Sequence, residues 1–251
     1  MRGLLLLLAF PGARATAQTT ESPSAVAPGD WLVEADLMSV AFHREAAAQG
    51  TLRGSTAVVG AVFLTTGIAS GFDIQLGTQL YHRDRVSGPG FREVVSGRGD
   101  TYLRMKWNFA GDEGGGPAFA LLPWVKFPTA TAGVGNNEAD WGLIVPFGMP
   151  LPGEGAFNAM VEFARPADGE GGRESTWFFG AVAVMPLAEG WECYAEATAG
   201  FVSGDSESTA TLGGGLRWSV SDSFVLDFGV AAGLTDNSPH WNPVVRVEWG
   251  F

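Results

Sequence analysis

The chain has 251 residues, with 15 lysines and arginines against 27 aspartates and glutamates and a formal net charge of −12, a balance that argues against nucleic acid as a partner. No stretch approaches the roughly 20 consecutive apolar residues of a membrane helix, although glycine is abundant at 36 and charged residues make up only 17%. Helical membrane proteins are therefore excluded and β-barrels are not, while the lone cysteine, Cys193, permits no internal disulfide.

Residues 1–17 combine a basic residue (Arg2), an apolar run from Leu4 to Phe10, a Pro11-Gly12 break and small residues at Ala15 and Ala17, which is the pattern of a cleaved signal peptide. Cleavage after Ala17, with Ala15 as the alternative, removes Arg2 and Arg14 and leaves a more acidic chain. Residues 18–30 are polar, contain Pro23, Pro28 and Gly29, and read as a flexible periplasmic leader. Residues 31–251 read as the folded unit.

Alternation with a period of two then dominates. Trp31–Phe42 sets Glu34 and Asp36 against Val33, Ala35 and Leu37; a second run from about Ser55 to Leu64 is less clear in phase. Phe72–His82 sets Asp73, Gln75 and Gln79 against Ile74, Leu76 and Leu80. The clearest hairpin follows: Leu103, Met105, Trp107 and Phe109 oppose Tyr102, Arg104, Lys106 and Asn108. After a glycine-rich turn at 111–116, Phe119, Leu121, Val125 and Phe127 oppose Ala118, Ala120, Leu122, Trp124 and Lys126. Centring that turn near Glu113 brings Asp100 and Lys126 opposite one another as an interior ion pair, with Arg104 nearby.

Trp141–Phe147 and Phe157–Phe163 continue the pattern, the latter with Asn158 and Glu162 on the polar side. Trp177–Met185 is apolar throughout and undecided in phase. Trp191–Phe201 sets Glu192, Tyr194, Glu196 and Thr198 against Trp191, Cys193, Ala195 and Ala197. Thr211–Val220 carries Arg217, Phe224–Leu234 carries Asp227, and Trp241–Phe251 carries Arg246 and Glu248, each opposite an apolar set.

Twelve strands result, an even number, as expected of a bacterial single-chain transmembrane barrel. The connections alternate long and short, beginning at about twelve, seven and fifteen residues, so the long ones share one end. Aromatics sort to the two strand ends: Trp31, Phe72, Phe109, Phe119, Phe147, Phe157, Trp191, Trp218 and Phe224 at one, Phe127, Trp141, Phe163, Trp177 and Trp241 at the other. Two such girdles are what a barrel in lipid requires. The fold expected is a single all-β antiparallel barrel with apolar residues toward lipid, charges toward the lumen, both termini in the periplasm and the long loops outside.

The segments GDTYLRMKW from Gly99, ALLPWVKFPTA from Ala120, YAEATAG from Tyr194 and LDFGVAAGLTDNSP from Leu226 resemble the outer-membrane transporter family named for the MetA pathway of phenol degradation. The most specific parts are Gly99-Asp100 and the Leu122-Pro123-x-Val125-Lys126-x-Pro128 pattern. The resemblance implies an outer-membrane channel associated with aromatic-compound uptake and transfers no catalytic residue. The terminal run Val245, Val247, Trp249, Phe251 resembles the signal by which barrels are delivered to the insertion machinery.

Pore-lining candidates follow from parity: Glu34, Asp36, Asp100, Arg104, Lys106, Trp124, Lys126, Glu162, Glu192, Tyr194, Glu196, Arg217, Asp227 and Arg246. Mixed charge beside Leu122, Trp124, Ile144, Met160 and Tyr194 suits a small amphipathic or aromatic solute passing passively through the lumen. The alternatives are a closed structural or adhesin barrel, whose charges pair across a narrow interior, and an outer-membrane lipid hydrolase. The latter needs a serine and a histidine together on the lipid-facing wall; His82 has the lipid-facing parity but no serine beside it. His43, His82 and His240 are scattered near strand ends without metal-ligand spacing, and Gly133-Val134-Gly135 lacks the third glycine of a dinucleotide fingerprint. No cofactor, metal or catalytic residue is expected.

Overall fold

A computed structural model describes residues 19–47, 50–111, 115–205 and 208–251; the proposed signal segment lies outside them. Among the described residues thirteen strands form: β1 (Trp31–Ala47), β2 (Gly50–Ala69), β3 (Phe72–Gly88), β4 (Phe91–Gly97), β5 (Thr101–Ala110), β6 (Ala118–Phe127), β7 (Asp140–Leu151), β8 (Gly155–Ala164), β9 (Thr176–Ala188), β10 (Trp191–Val202), β11 (Ser208–Ser221), β12 (Phe224–Gly233) and β13 (Trp241–Gly250). All pair antiparallel. The β1–β13 and β2–β3 pairings close the sheet into a ring of twelve strands, with β4 outside the ring and paired only to β3. Closure leaves no free edge within the ring, the condition for a sheet to sit in lipid.

The alternation decides which face each side chain takes. Leu64, Leu76, Leu103 and Val125 follow one another across the outer wall of β2, β3, β5 and β6, and Leu76 is 54% exposed. On the opposite face Asp73, Gln75, Arg104, Lys106 and Asp227 are buried in the barrel interior. Aromatic pairs mark both ends of the apolar band. Phe109, Phe119 and Phe147 are in contact near the end that holds the termini, as are Trp191 and Trp218, stacked at 5.4 Å. Trp141, Phe163 and Trp177 are in contact near the distal end. An apolar belt bounded by aromatic girdles makes this a transmembrane barrel.

Three differences from the sequence reading matter. First, the connections of about twelve and fifteen residues expected after the first and third strands are mostly strand: β1 and β2 run on to residues 47 and 50, and β3 continues into a hairpin with β4 at residues 89–90. Second, the side-chain parity of β1, β2 and β3 switches at one level. Leu37 and Met38 both point outward, as do Leu80 and Tyr81, beside Gly60, whose φ of 64° only glycine adopts freely. Beyond this level Ser39, Val58 and His82 point inward, so His82 is not on the lipid face. Third, Lys126 pairs with Tyr102, not Asp100, in the register. The β5–β6 register is two residues off the expected one, with a bulge between Asn108 and Ala110.

Candidate functional site

Two features fill the interior: the amino-terminal leader and a cavity beyond it. Residues 19–30, expected as a leader outside the folded unit, enter the lumen from the end that holds the termini. Gly29 donates its backbone N–H to the Gly67 carbonyl at 3.0 Å, and the Val26 N–H donates to Asp73 at 3.1 Å. Lys106 donates to the Ser24 carbonyl and Asn108 to that of Pro23, both at 3.1 Å. Near mid-barrel Arg104 donates to Glu21 at 2.8 Å, and the Thr20 N–H donates to Glu196 at 2.7 Å. The segment therefore crosses the lumen from β2 and β3 to β8 and β10. Glycine makes the space: a Cβ on Gly180 would lie 2.6 Å from the Thr20 hydroxyl, and one on Gly148 2.8 Å from the Pro23 ring.

Distal to this crossing lies a cavity of about 300 Å³ with Thr19 in its lining. Val58, Ala164 and Phe178 contribute apolar surface, and Ser39, Thr56, Thr198, Thr211 and Asn242 contribute hydroxyl and amide groups. Its charged groups are Asp36, Glu162, Glu196 and Arg246. Arg246 is committed to Asp36 at 3.0 Å and lies 4.0 Å from Asp227, so the carboxylates set the sign of the field. Below Phe178, the apolar side of the interior continues as Leu122, Trp124, Ile144 and Met160. Tyr102 and Phe63 follow, with the Arg104 guanidinium 3.9 Å from the Phe63 ring centroid.

Of the fourteen candidates from parity, Asp36, Glu162, Glu196 and Arg246 share the cavity. Tyr194 and Trp124 support it from behind: the Tyr194 hydroxyl donates to Asp227 and the Trp124 indole N–H to Glu162. Arg104 and Lys106 hold the leader, and Glu34 faces the same region, opposite Glu248 in the register. Glu192 and Arg217 belong to the terminus-bearing end, where Arg217 bridges Glu192 at 3.1 Å and Glu248 at 3.0 Å. Asp100 and Lys126 lie at the distal rim. Their ion pair forms at 3.4 Å across the diagonal, but the nearer partner of Lys126 is Asp140 at 2.5 Å, and Arg104 belongs to the leader contacts instead.

Sequence reasoning missed His43 and His82, which line the cavity rather than being scattered. His82 bonds to Gln79 at 3.0 Å and Asp84 at 2.8 Å, and Asp84 accepts from Thr56 at 2.7 Å. A parity count cannot cross the Leu37–Met38 step before His43 or the Leu80–Tyr81 step before His82, which hid them. Among the described residues no group of His, Cys, Asp and Glu has metal-ligand geometry. In the loop at 165–175, the Glu170 and Gly172 N–H groups hold the Asp168 carboxyl below the usual carboxylate range.

The fold thus defines a closed twelve-stranded transmembrane β-barrel with the leader inside it. Residues 15–244 match the family described as "Putative MetA-pathway of phenol degradation", and the chain belongs to it. Its fold is similar to that of the COG4313 outer membrane channel from Pseudomonas putida F1, with TM-score 0.66 and 11% identity over 91% of this chain and 97% of that one. It is also similar to the transport unit of the autotransporter AIDA-I from Escherichia coli, with TM-score 0.60 and 11% identity over 99% and 97%. The NanC porin gives TM-score 0.54 and 8% identity over 86% and 98%. No curated protein matches the sequence.

Proposed function

We propose that the chain is a non-enzymatic outer-membrane channel for passive passage of small, partly apolar solutes, with its termini in the periplasm and its long connections outside. The observation that carries this reading is the distal cavity, where Phe178, Ala164 and Val58 stand opposite hydroxyls and carboxylates. Such a lining suits an aromatic ring bearing a hydroxyl or amine, and the family description points the same way. With Asp36 neutralised by Arg246, Glu162 and Glu196 leave the site acidic, so aromatic carboxylates are disfavoured against neutral or cationic rings. Asp100 and Lys126 stand at the distal rim, and the remaining pore-lining candidates act below the cavity, where the leader must shift before a solute can pass.

Hydrolysis of lipid is not supported, because His82 is turned inward against Gln79 and Asp84, away from the wall that lipid touches. The partners that fit are membrane lipid on the apolar belt and the insertion machinery, met through β13. That strand's end closes the barrel by the Trp31 N–H to Phe251 carbonyl bond of 2.9 Å.

Planar-bilayer conductance and solute flux into liposomes test the reading. Phenol-like solutes should enter faster than sugars or benzoate-like acids, and Glu162→Gln with Glu196→Gln should reduce cation preference. The bonded leader favours one alternative, a closed structural barrel. Absence of conductance both in the full chain and after deletion of residues 19–27 would establish that alternative and remove the channel reading.

A further inference from the structure

The outward face of β1 to β4, at and beyond the distal girdle, carries Arg44, Arg53, Arg83, Arg85 and Arg92. These are five of the 15 lysines and arginines of a chain whose net charge is −12, gathered on one small sheet face. Arg44 is directly opposite Arg53, and Arg53 and Arg92 are both opposite Ser87, so three guanidinium groups share one lateral row. Arg85 lies in the next row, which it shares with Phe42, and Arg83 in the one after that, the row of Val40. All five side chains are exposed, and none has an ion pair or hydrogen bond among the described residues. The acids nearby do not neutralise them: Asp84 faces the interior and is bonded to Thr56 and His82, and Glu93 has the opposite parity on β4. Like charges directly opposite on a sheet destabilise it, and an uncompensated cluster of this kind calls for an anion from outside the chain.

Its height identifies the anion. Phe42, paired with Trp241, and Tyr81 end the apolar belt on this side, and all three are exposed outward. Arg44 lies two residues beyond Phe42, and Arg83 two beyond Tyr81. A wall that is apolar, then aromatic, then arginine over so few residues follows the acyl chain, interface and headgroup layers of a leaflet. Guanidinium forks bind phosphate through paired N–H donors. We propose that this face is a binding site for the phosphates of a phosphorylated glycolipid headgroup in the outer leaflet, which fixes the barrel's height and orientation. The inference rests on the orientation stated above and not on any solute passing through the lumen.

The full chain, refolded in micelles, is examined by native mass spectrometry with diphosphoryl lipid A, its dephosphorylated form and phosphatidylcholine. The wild type should retain lipid A, and Arg53→Gln, Arg83→Gln and Arg85→Gln combined should weaken retention by about fivefold per arginine removed. The three Arg→Lys replacements should recover part of it, and the dephosphorylated form should bind no better than phosphatidylcholine. Equal retention by the wild type and the Gln variant overturns the site, as does equal binding of the dephosphorylated lipid. Full competition by inorganic phosphate would define a free-anion site and overturn the lipid assignment. If the Gln variant does not reach the folded, heat-modifiable form, the phosphate dependence of the wild type decides. Labelling Ser96→Cys, in a Cys193→Ser background, with an impermeant reagent on intact cells tests the orientation separately; no labelling would overturn it and the site together.

Discussion

Glu21 and Arg104, 83 positions apart in sequence, meet at 2.8 Å inside the barrel with each side chain only 4% exposed. This pair joins the leader to the wall. Removing one partner leaves a buried charge unpaired, which costs about 3–5 kcal/mol in a dry interior and less where water enters. Glu21→Gln is expected to loosen the leader and raise bilayer conductance, and Glu21→Gln with Arg104→Gln should cost less stability than Arg104→Gln alone. Conductance together with a double-mutant cycle of unfolding checks both.

Gly180 tests the leader from the other side of the lumen. A valine there places carbon within 2.6 Å of the Thr20 hydroxyl, so the Thr20–Glu196 bond should break while the β9 ladder stays intact. Faster hydrogen exchange at Thr20, with unchanged exchange along β9, is the expected result.

Leu76 stands at mid-belt on the lipid face. Leu76→Arg should lower folding stability in liposomes by about 2–4 kcal/mol, whereas the same change at Ser96, beyond the belt, should be nearly neutral. Tryptophan-monitored unfolding in denaturant measures the difference; equal effects would contradict the placement of the belt.

Lys126 and Asp140 hold the distal rim. Asp140, 1% exposed, also accepts from the Ala167 N–H, while Asn136 bonds to both Lys126 and Asp140. Lys126→Met should therefore release the connections at 128–139 and 165–175 together. Limited proteolysis should cut both loops faster than in the wild type, with the barrel strands still protected.

The Asp168 loop should depend on pH. Because its folded carboxyl is held below the unperturbed value of about 3.9, the contribution to loop order is full above that value and is lost as pH falls through the folded one. Exchange of the Glu170 and Gly172 amides should accelerate there in the wild type, and Asp168→Asn should remove the pH dependence.

Much of the barrel is legible in the chain because strand parity is local. Each strand between lipid and lumen must alternate, so the hairpin from Thr101 to Phe127 shows which of its faces each residue takes without knowledge of the rest. The girdles are legible for the same reason, since an aromatic at a strand end is placed by the strand alone. Parity fails where the backbone departs from a flat pleat. Leu37–Met38 and Leu80–Tyr81 each place two successive residues outward, and no pattern in the sequence announces such a step, so parity alone brings His43 and His82 to no site and gives no strand at β4.

By itself, then, the sequence determined the class of fold, the apolar belt and the list of inward residues, because these depend on a two-residue period and on the chemistry of lipid. Which inward residues act together was decided by the tertiary structure. Closing the ring brings Asp36 to Arg246, 210 positions away, and folding the leader inward gives Arg104 and Glu196 partners that no strand supplies. Such contacts depend on shear, bulges and the path of a segment without periodicity, and none of these is written locally in the chain.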